Sequence, residues 1–303
     1  MIIYHPLQKD DLKFLVDLFN EQYIYDPITE EILDEKIFHE EHYDSDLNFT
    51  VKNHNTLVGF ASGMIREQAG VMTGWIKLMA TTDQKSMGTF LQQTFDKIES
   101  KLLEKGAKTI RFFDSFPNYF IPGIDPRCTS LITLLQKKGY ERRRDNVTMT
   151  SLLTDLDLDT EKDEKRLKEN HNIEIKRATG TDKLRVFDLV NREFSLWSGE
   201  ITLAFQKEKN PLHIALSNQK VIAFSNHSCN NAGTGWFGPM GTSKEARGKG
   251  IGEILLKRCL ADLKKDGHTE AIIPWVGPIG FYYEKSHAEV SRVYWNFSKD
   301  FTA

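Results

Sequence analysis

The stretch Asp17-Leu18-Phe19-Asn20-Glu21-Gln22-Tyr23 returns as Asp188-Leu189-Val190-Asn191-Arg192-Glu193-Phe194, 171 positions later. A recurrence at that distance means two similar units rather than one continuous fold, and it constrains every later inference. Each stretch follows a short β-like opening, Met1 to Tyr4 and Ile173 to Lys176. Further on, Asn55-Thr56-Leu57-Val58 faces Asn218-Gln219-Lys220-Val221 at an offset of 163. Each of these reads as a hairpin turn entering a strand, Val58 to Met64 and Val221 to Asn226. Next, a glycine-containing turn opens an amphipathic helix in each half. One stripe is Phe90, Leu91, Phe95, Ile98 and Leu102, the other Leu255, Leu256, Cys259, Leu260 and Leu263. Spacings of three and four put each stripe on one helical face. Gly106 and Gly267 are the expected C-caps, each followed by a strand, Thr109 to Asp114 and Glu270 to Trp275.

One copy therefore reads β-α-(α)-β-β-β-α-β-α-β. The fold class expected is α/β, as two tandem domains, each a mixed, mostly antiparallel sheet flanked by helices. A length of 303 residues agrees, giving each copy roughly 150 residues, enough for its own core. Asp155 to Asn170 is dense in Asp, Glu and Lys and reads as a linker or a solvated helix, so the expected domains are 1–154 and 172–303, with a charged linker at 155–171.

The formal net charge of -3 gives no global reason to hold nucleic acid or an anionic membrane. The local run Arg142-Arg143-Arg144 is flanked by Glu141 and Asp145 and reads as a solvated strand edge. The three cysteines, Cys128, Cys229 and Cys259, form neither a metal knuckle nor an even disulfide set. No leader-like segment opens the chain, and no apolar run approaches the ~20 residues of a membrane span. A cytoplasmic protein, with no membrane or nucleic-acid partner, is expected.

The chemistry is concentrated in Gly238-Pro239-Met240-Gly241-Thr242-Ser243-Lys244-Glu245-Ala246-Arg247-Gly248-Lys249-Gly250-Ile251-Gly252. It follows a strand-like stretch, Gly235 to Phe237, and opens a helix. Glycines at every second position allow a tight turn that aims successive N–H groups into one concavity. With a helix N-terminus behind them, those donors suit a pyrophosphate, and Arg247 and Lys249 add charge at the rim. A nucleotide P-loop would need glycine where Ser243 stands and Ser or Thr where Gly250 stands. A dinucleotide fingerprint starting at Gly248 would need glycine where Glu253 stands. Neither applies, while a glycine-rich turn without a ligand remains the plain alternative.

The run Arg247-Gly248-Lys249-Gly250-Ile251-Gly252 resembles the GNAT acetyltransferase pattern, Arg/Gln-x-x-Gly-x-Gly/Ala between a strand and a helix. That resemblance implies acetyl-CoA, or another short acyl-CoA, as co-substrate. The implied cofactor-binding residues are Met240, Thr242, Arg247, Gly248, Lys249, Gly250, Ile251 and Gly252. The family also has a tyrosine on the next helix that protonates the departing thiolate. In Phe281-Tyr282-Tyr283-Glu284-Lys285-Ser286-His287-Ala288 that position falls on Tyr283, with Tyr282 as the fallback and a packing aromatic as the alternative reading. A phenol, with an unperturbed pKa of ~10, holds its proton at pH 7 and suits that role. The asparagine that the family often carries before this helix is missing from Trp275-Val276-Gly277-Pro278-Ile279-Gly280.

The first copy departs further. It offers Asp83-Gln84-Lys85-Ser86-Met87-Gly88 against the phosphate loop and Leu135-Gln136-Lys137 against Tyr283-Glu284-Lys285, a scaffold without the site. Phe116 to Asp125 is aromatic and turn-rich, and reads as a pocket wall or an ordinary packed loop. His39-Glu40-Glu41-His42 has the wrong spacing for a zincin and reads as a solvated acidic helix face, so no metal is expected. Glu193 and His227 are weak candidates for a general base, with surface roles favoured for both. The expected function is N-acetyl transfer to a primary amine of a small molecule or peptide. A non-catalytic acyl-CoA sensor and an interaction module stay open.

Overall fold

The copies match element for element. The first runs β1 (Ile2–Pro6), α1 (Leu12–Gln22), α2 (Glu30–Ile37), β2 (Asn48–Asn53), β3 (Thr56–Gln68), β4 (Val71–Thr81), α3 (Thr89–Glu104), β5 (Thr109–Phe112), α4 (Thr129–Lys137) and β6 (Glu141–Leu152). After one additional helix, α5 (Glu161–His171), the second runs β7 (Ile173–Arg177), α6 (Lys183–Glu193), α7 (Ser198–Gln206), β8 (His213–Ser217), β9 (Lys220–His227), β10 (Phe237–Thr242), α8 (Ile251–Lys265), β11 (Glu270–Ile273), α9 (Ile279–Ser286) and β12 (Glu289–Asp300). The computed structural model describes residues 2–301.

The likeness extends to single bonds. Before α1, Gln8 and Asp11 form a reciprocal capping box, and Thr179 and Asp182 form the same box before α6. At the end of α3, Gly106 donates to Leu103 and Ala107 to Leu102; at the end of α8, Gly267 donates to Lys264 and His268 to Leu263. Those paired closures satisfy the last carbonyls of each helix. The buried stripe of α8 comprises Ile251, Ile254, Leu255, Leu256, Cys259, Leu260 and Leu263, close to the set that the periodicity picks out.

The structure divides into two compact units, Met1–Asn146 with Val293–Ala303 and Val147–Arg292. This differs from the boundaries expected at 154 and 172. The chain passes from one unit to the other inside β6 and again inside β12, so strand continuity, not composition, sets the division. The segment expected to be a linker belongs to the second unit. Its α5 buries Leu167 completely beside Ile173, Ile251 and Leu255, which a free tether would not do.

In the first unit, β1, β2, β3 and β4 pair antiparallel in turn, β4 pairs β5 in parallel, and β5 pairs the end of β12 antiparallel. A single core fills this unit, from Phe19 and Phe60 to Phe95, Phe112 and Phe297. In the second unit, β7, β8, β9 and β10 form an antiparallel sheet, while β11 pairs the later part of β6. α6 and α7 pack on one side of this sheet through Val186, Leu189, Val190 and Ile201. α5 and α8 pack through Leu167, Ile251, Ile254 and Leu255 with Ala215 and Ala223 of the strands. Both units are thus mixed, mostly antiparallel α/β structures, as expected.

Candidate functional site

β10 and β11 touch in parallel only at their base. Trp236 bridges Ile272, and the Ile272 amide donates to Gly235 at 2.9 Å. Beyond that point β10 stays with β9, through Met240–Ser225, Gly241–Phe224 and Thr242–Ala223, after a register shift between Phe237 and Met240. β11 instead continues along β6, where the Val276 amide donates to Val147 at 3.0 Å. A fork opens between the two strands. Met240 lines its β10 arm, and Thr242 ends that arm beside the first turn of α8.

The loop after Thr242 is braced from below. The Ser243 amide donates to Ile222, that of Ala246 to Ser243, and the Lys244 amide to the Glu193 carboxylate at 3.3 Å. Buried Ala246 and Ile251 pin the loop to the core on either side of Arg247-Gly248-Lys249-Gly250. Gly248 and Gly250 have φ of 78° and 83°, the left-handed region in which a side chain is strained, so the alternating glycines are a backbone requirement. Among the described residues, no acceptor takes the backbone N–H groups of Arg247, Gly248, Lys249, Gly250, Ile251 or Gly252. A run of open amides at the N-terminus of a 15-residue helix can take an anion. The Arg247 guanidinium folds back to the Thr242 carbonyl at 3.3 Å, leaving its outer nitrogens to solvent.

α9 lies against the same turn. Phe281 approaches the Cβ position of Gly252 to 3.6 Å, and Lys285 pairs with Glu253 of the first turn of α8 at 2.9 Å. Of the two tyrosines, Tyr282 is buried, edge-on to Phe237 and Phe281, and burial pushes its phenol far above the ordinary range. That packing removes the fallback acid. Tyr283 is 59% exposed, on the open face of α9, free of packing duty.

The candidate bases separate. Glu193 stands at the end of α6, bonded to Lys244 and Arg192. His227, expected at the surface, is buried: its Nε2 lies 3.3 Å from Asp262 of α8, which also accepts from His213 at 2.7 Å and from Arg177. That carboxylate ties β7, β8 and β9 to α8, which gives His227 a structural place.

In the first unit the corresponding amides are consumed. Asp83 accepts from Phe90 at 2.8 Å and Leu91 at 3.0 Å through its carboxylate, while its carbonyl takes Gly88 and Ser86. A Cβ on Gly88 would lie 2.1 Å from that carboxylate, which explains the surviving glycine. The chain's own acid thus caps the start of α3. One expectation for this unit is corrected. Glu40 of the His-Glu-Glu-His run lies outside any helix and is buried as the ion-pair partner of enclosed Lys77, with Asn118 also donating to it. Of the two readings of Phe116 to Asp125, the packed loop is the one seen: Phe120, Ile121 and Ile124 join the core. Among the described residues, no cluster of His, Cys, Asp or Glu could hold a metal, and no helix is long and apolar enough to cross a membrane.

Sequence reasoning missed two neighbours of the site. Phe194, stacked on Trp197 at 5.3 Å, rests its ring on Gly241 of β10. Arg166 of α5 reaches Lys249 and Gly250. Both contacts join residues distant in sequence, so no local pattern signalled either.

Residues 183–285 match the model of the acetyltransferase (GNAT) family. No curated protein sequence matches the chain. Among solved structures, the glucosamine N-acetyltransferase region of a fungal multi-domain GH3 beta-N-acetylglucosaminidase superposes with a TM-score of 0.82 at 18% identity. That match covers 99% of this chain, which spans 38% of the fungal chain. A GCN5-related N-acetyltransferase from Sphaerobacter thermophilus gives 0.69 at 16% identity, covering 99% of this chain and 95% of that one. A tandem GNAT protein from the clavulanic acid biosynthesis pathway gives 0.69 at 10% identity, covering 100% and 99%. The whole chain thus has the tandem form of this fold.

Proposed function

Because residues 183–285 form a domain of the GNAT acetyltransferase family within a tandem fold, we propose that the chain is an N-acetyltransferase that moves an acetyl or other short acyl group from its coenzyme A thioester to a primary amine. The observation that carries this reading is the open amide run from Arg247 to Gly252 at the head of α8, beside a forked pair of strands. Thr242, Arg247, Gly248, Lys249, Gly250, Ile251 and Gly252 hold the pyrophosphate, and the pantetheine enters the fork past Met240. The amine nitrogen attacks the thioester carbonyl and gives up a proton to water, the carbon–sulfur bond breaks, and Tyr283 gives its proton to the departing thiolate and regains one from solvent. Exposure of Tyr283 on the helix that Lys285 ties to α8 supports that assignment. The fungal neighbour described as acting on glucosamine makes an amino sugar the first acceptor to try.

Calorimetric titration of acetyl-CoA into the full chain and into an Arg247→Glu/Gly250→Trp variant tests the site. Saturable binding by the first and none by the second is expected; no binding by the unaltered chain refutes the reading. Tyr283→Phe should bind acetyl-CoA normally and lose roughly 10²–10⁴-fold in kcat. Turnover unchanged by that substitution removes Tyr283 from the chemistry. Cofactor binding with no turnover on any amine leaves a sensor.

A further inference from the structure

The helix between the two copies ends up beside the phosphate loop. α5 is anchored there by two contacts that do not involve Arg166. Leu167 is wholly buried in the cluster that contains Ala246 and Ile251, the residues on either side of the glycine run. Glu164 accepts two hydrogen bonds from Arg258 of α8, at 2.7 and 2.5 Å. With the helix fixed, Arg166 projects over the loop. Its Nη2 lies 3.5 Å from the Lys249 carbonyl oxygen and 3.1 Å from where a Cβ on Gly250 would be. Its ion-pair partner is Asp163, one turn back at 3.1 Å, and both side chains are nearly half exposed. Among the described residues Nη1 has no acceptor.

A half-open guanidinium therefore stands at the edge of a row of unused amides, on a helix that has no counterpart in the first copy. We propose that Arg166 is a phosphate-binding residue of the acyl-CoA site, supplied by the segment that joins the copies. The proposal rests on the acyl-CoA reading of the loop. Planar donors of this kind take phosphate oxygens in pairs, which a lysine does not reproduce. Coenzyme A carries a pyrophosphate and a 3′-phosphate. The loop amides already account for the first, so the outlying guanidinium is assigned the 3′-phosphate.

The test is titration of coenzyme A and of 3′-dephospho-coenzyme A into the full chain, its Arg166→Met variant and its Arg166→Lys variant. Arg166→Met should weaken coenzyme A by roughly tenfold to a hundredfold and leave the dephospho form unchanged. Arg166→Lys should recover part of the loss. An equal loss for both ligands overturns the assignment to the 3′-phosphate. Coenzyme A bound equally well by the unaltered chain and Arg166→Met overturns the proposal while leaving the site intact. Failure of the unaltered chain to bind coenzyme A refutes the acyl-CoA reading itself, and this proposal with it. The melting temperature should not move in Arg166→Met, since Leu167 and Glu164 hold α5 without it.

Discussion

Lys77 of β4 is buried, and burial pulls its pKa down to about 8 despite the pairing with Glu40. Removing one partner of such a pair strands the other, whereas removing both is often tolerated. Lys77→Met alone should cost about 3–5 kcal/mol, and Lys77→Met with Glu40→Met should recover most of it, read as a double-mutant cycle in urea. The second unit has its own buried network at Asp262. Burial alone would raise that carboxyl, but hydrogen bonds from His213, His227 and Arg177 outweigh it and hold it far below the ordinary range. Burial lowers His213 against the pull of the same carboxylate. Both groups bind fewer protons folded than unfolded in acid, so stability falls as pH drops. It falls first below the ~6.5 of an unfolded histidine, then below the ~3.9 of an unfolded aspartate. The urea midpoint should therefore be lower at pH 5.5 than at 7.5, and His213→Asn should shrink that difference.

At the level of elements, α3 and α8 are the same helix with opposite fates at the N-terminus. Asp83 caps the first, while the amides of the second stand open. Asp83→Ala should destabilise the chain by roughly 1 kcal/mol, as loss of a side-chain cap does, without altering acetyl-CoA affinity. A change in affinity would place the cofactor on the wrong helix. Much of this contrast was legible in the sequence. Glycines at 248, 250 and 252, and an acid where Arg247 has its counterpart, are local features, and local features fix backbone conformation and caps. What Asp83 does was not legible, because its partners become neighbours only after the turn closes. Glu40 was misread for a similar reason: its reason for burial, Lys77, lies 37 positions away on another strand. α5 read as a linker or a solvated helix because ten of its eleven residues are polar and charge is what composition reports. The one residue that decides its place, Leu167, is a single apolar side chain that no periodicity announces.

On the scale of the whole molecule, the chain finishes its first unit with its last strand. Trp295 and Ile124 exchange backbone hydrogen bonds, Tyr294 donates to Asp26 at 2.6 Å, and the Asn296 amide donates to Asp114 and Pro122. A fragment of residues 1–154 should therefore lack a cooperative near-ultraviolet melting transition, and a peptide of residues 289–303 added in trans should restore one. Such a transition in the fragment alone would mean the terminal strand is dispensable. A fragment beginning at 172 loses the β6 residues that pair with β11, and Leu167 with them.

This routing also sets a timetable during synthesis. Residue 146 emerges well before residue 293, and at ordinary elongation rates the interval is roughly 7–30 s. Throughout it, the first unit waits with β5 unpaired on the side that β12 will fill. The second unit, meanwhile, has to take shape on a nascent chain whose beginning is unfinished, because the segment that completes the first unit is made only after the second.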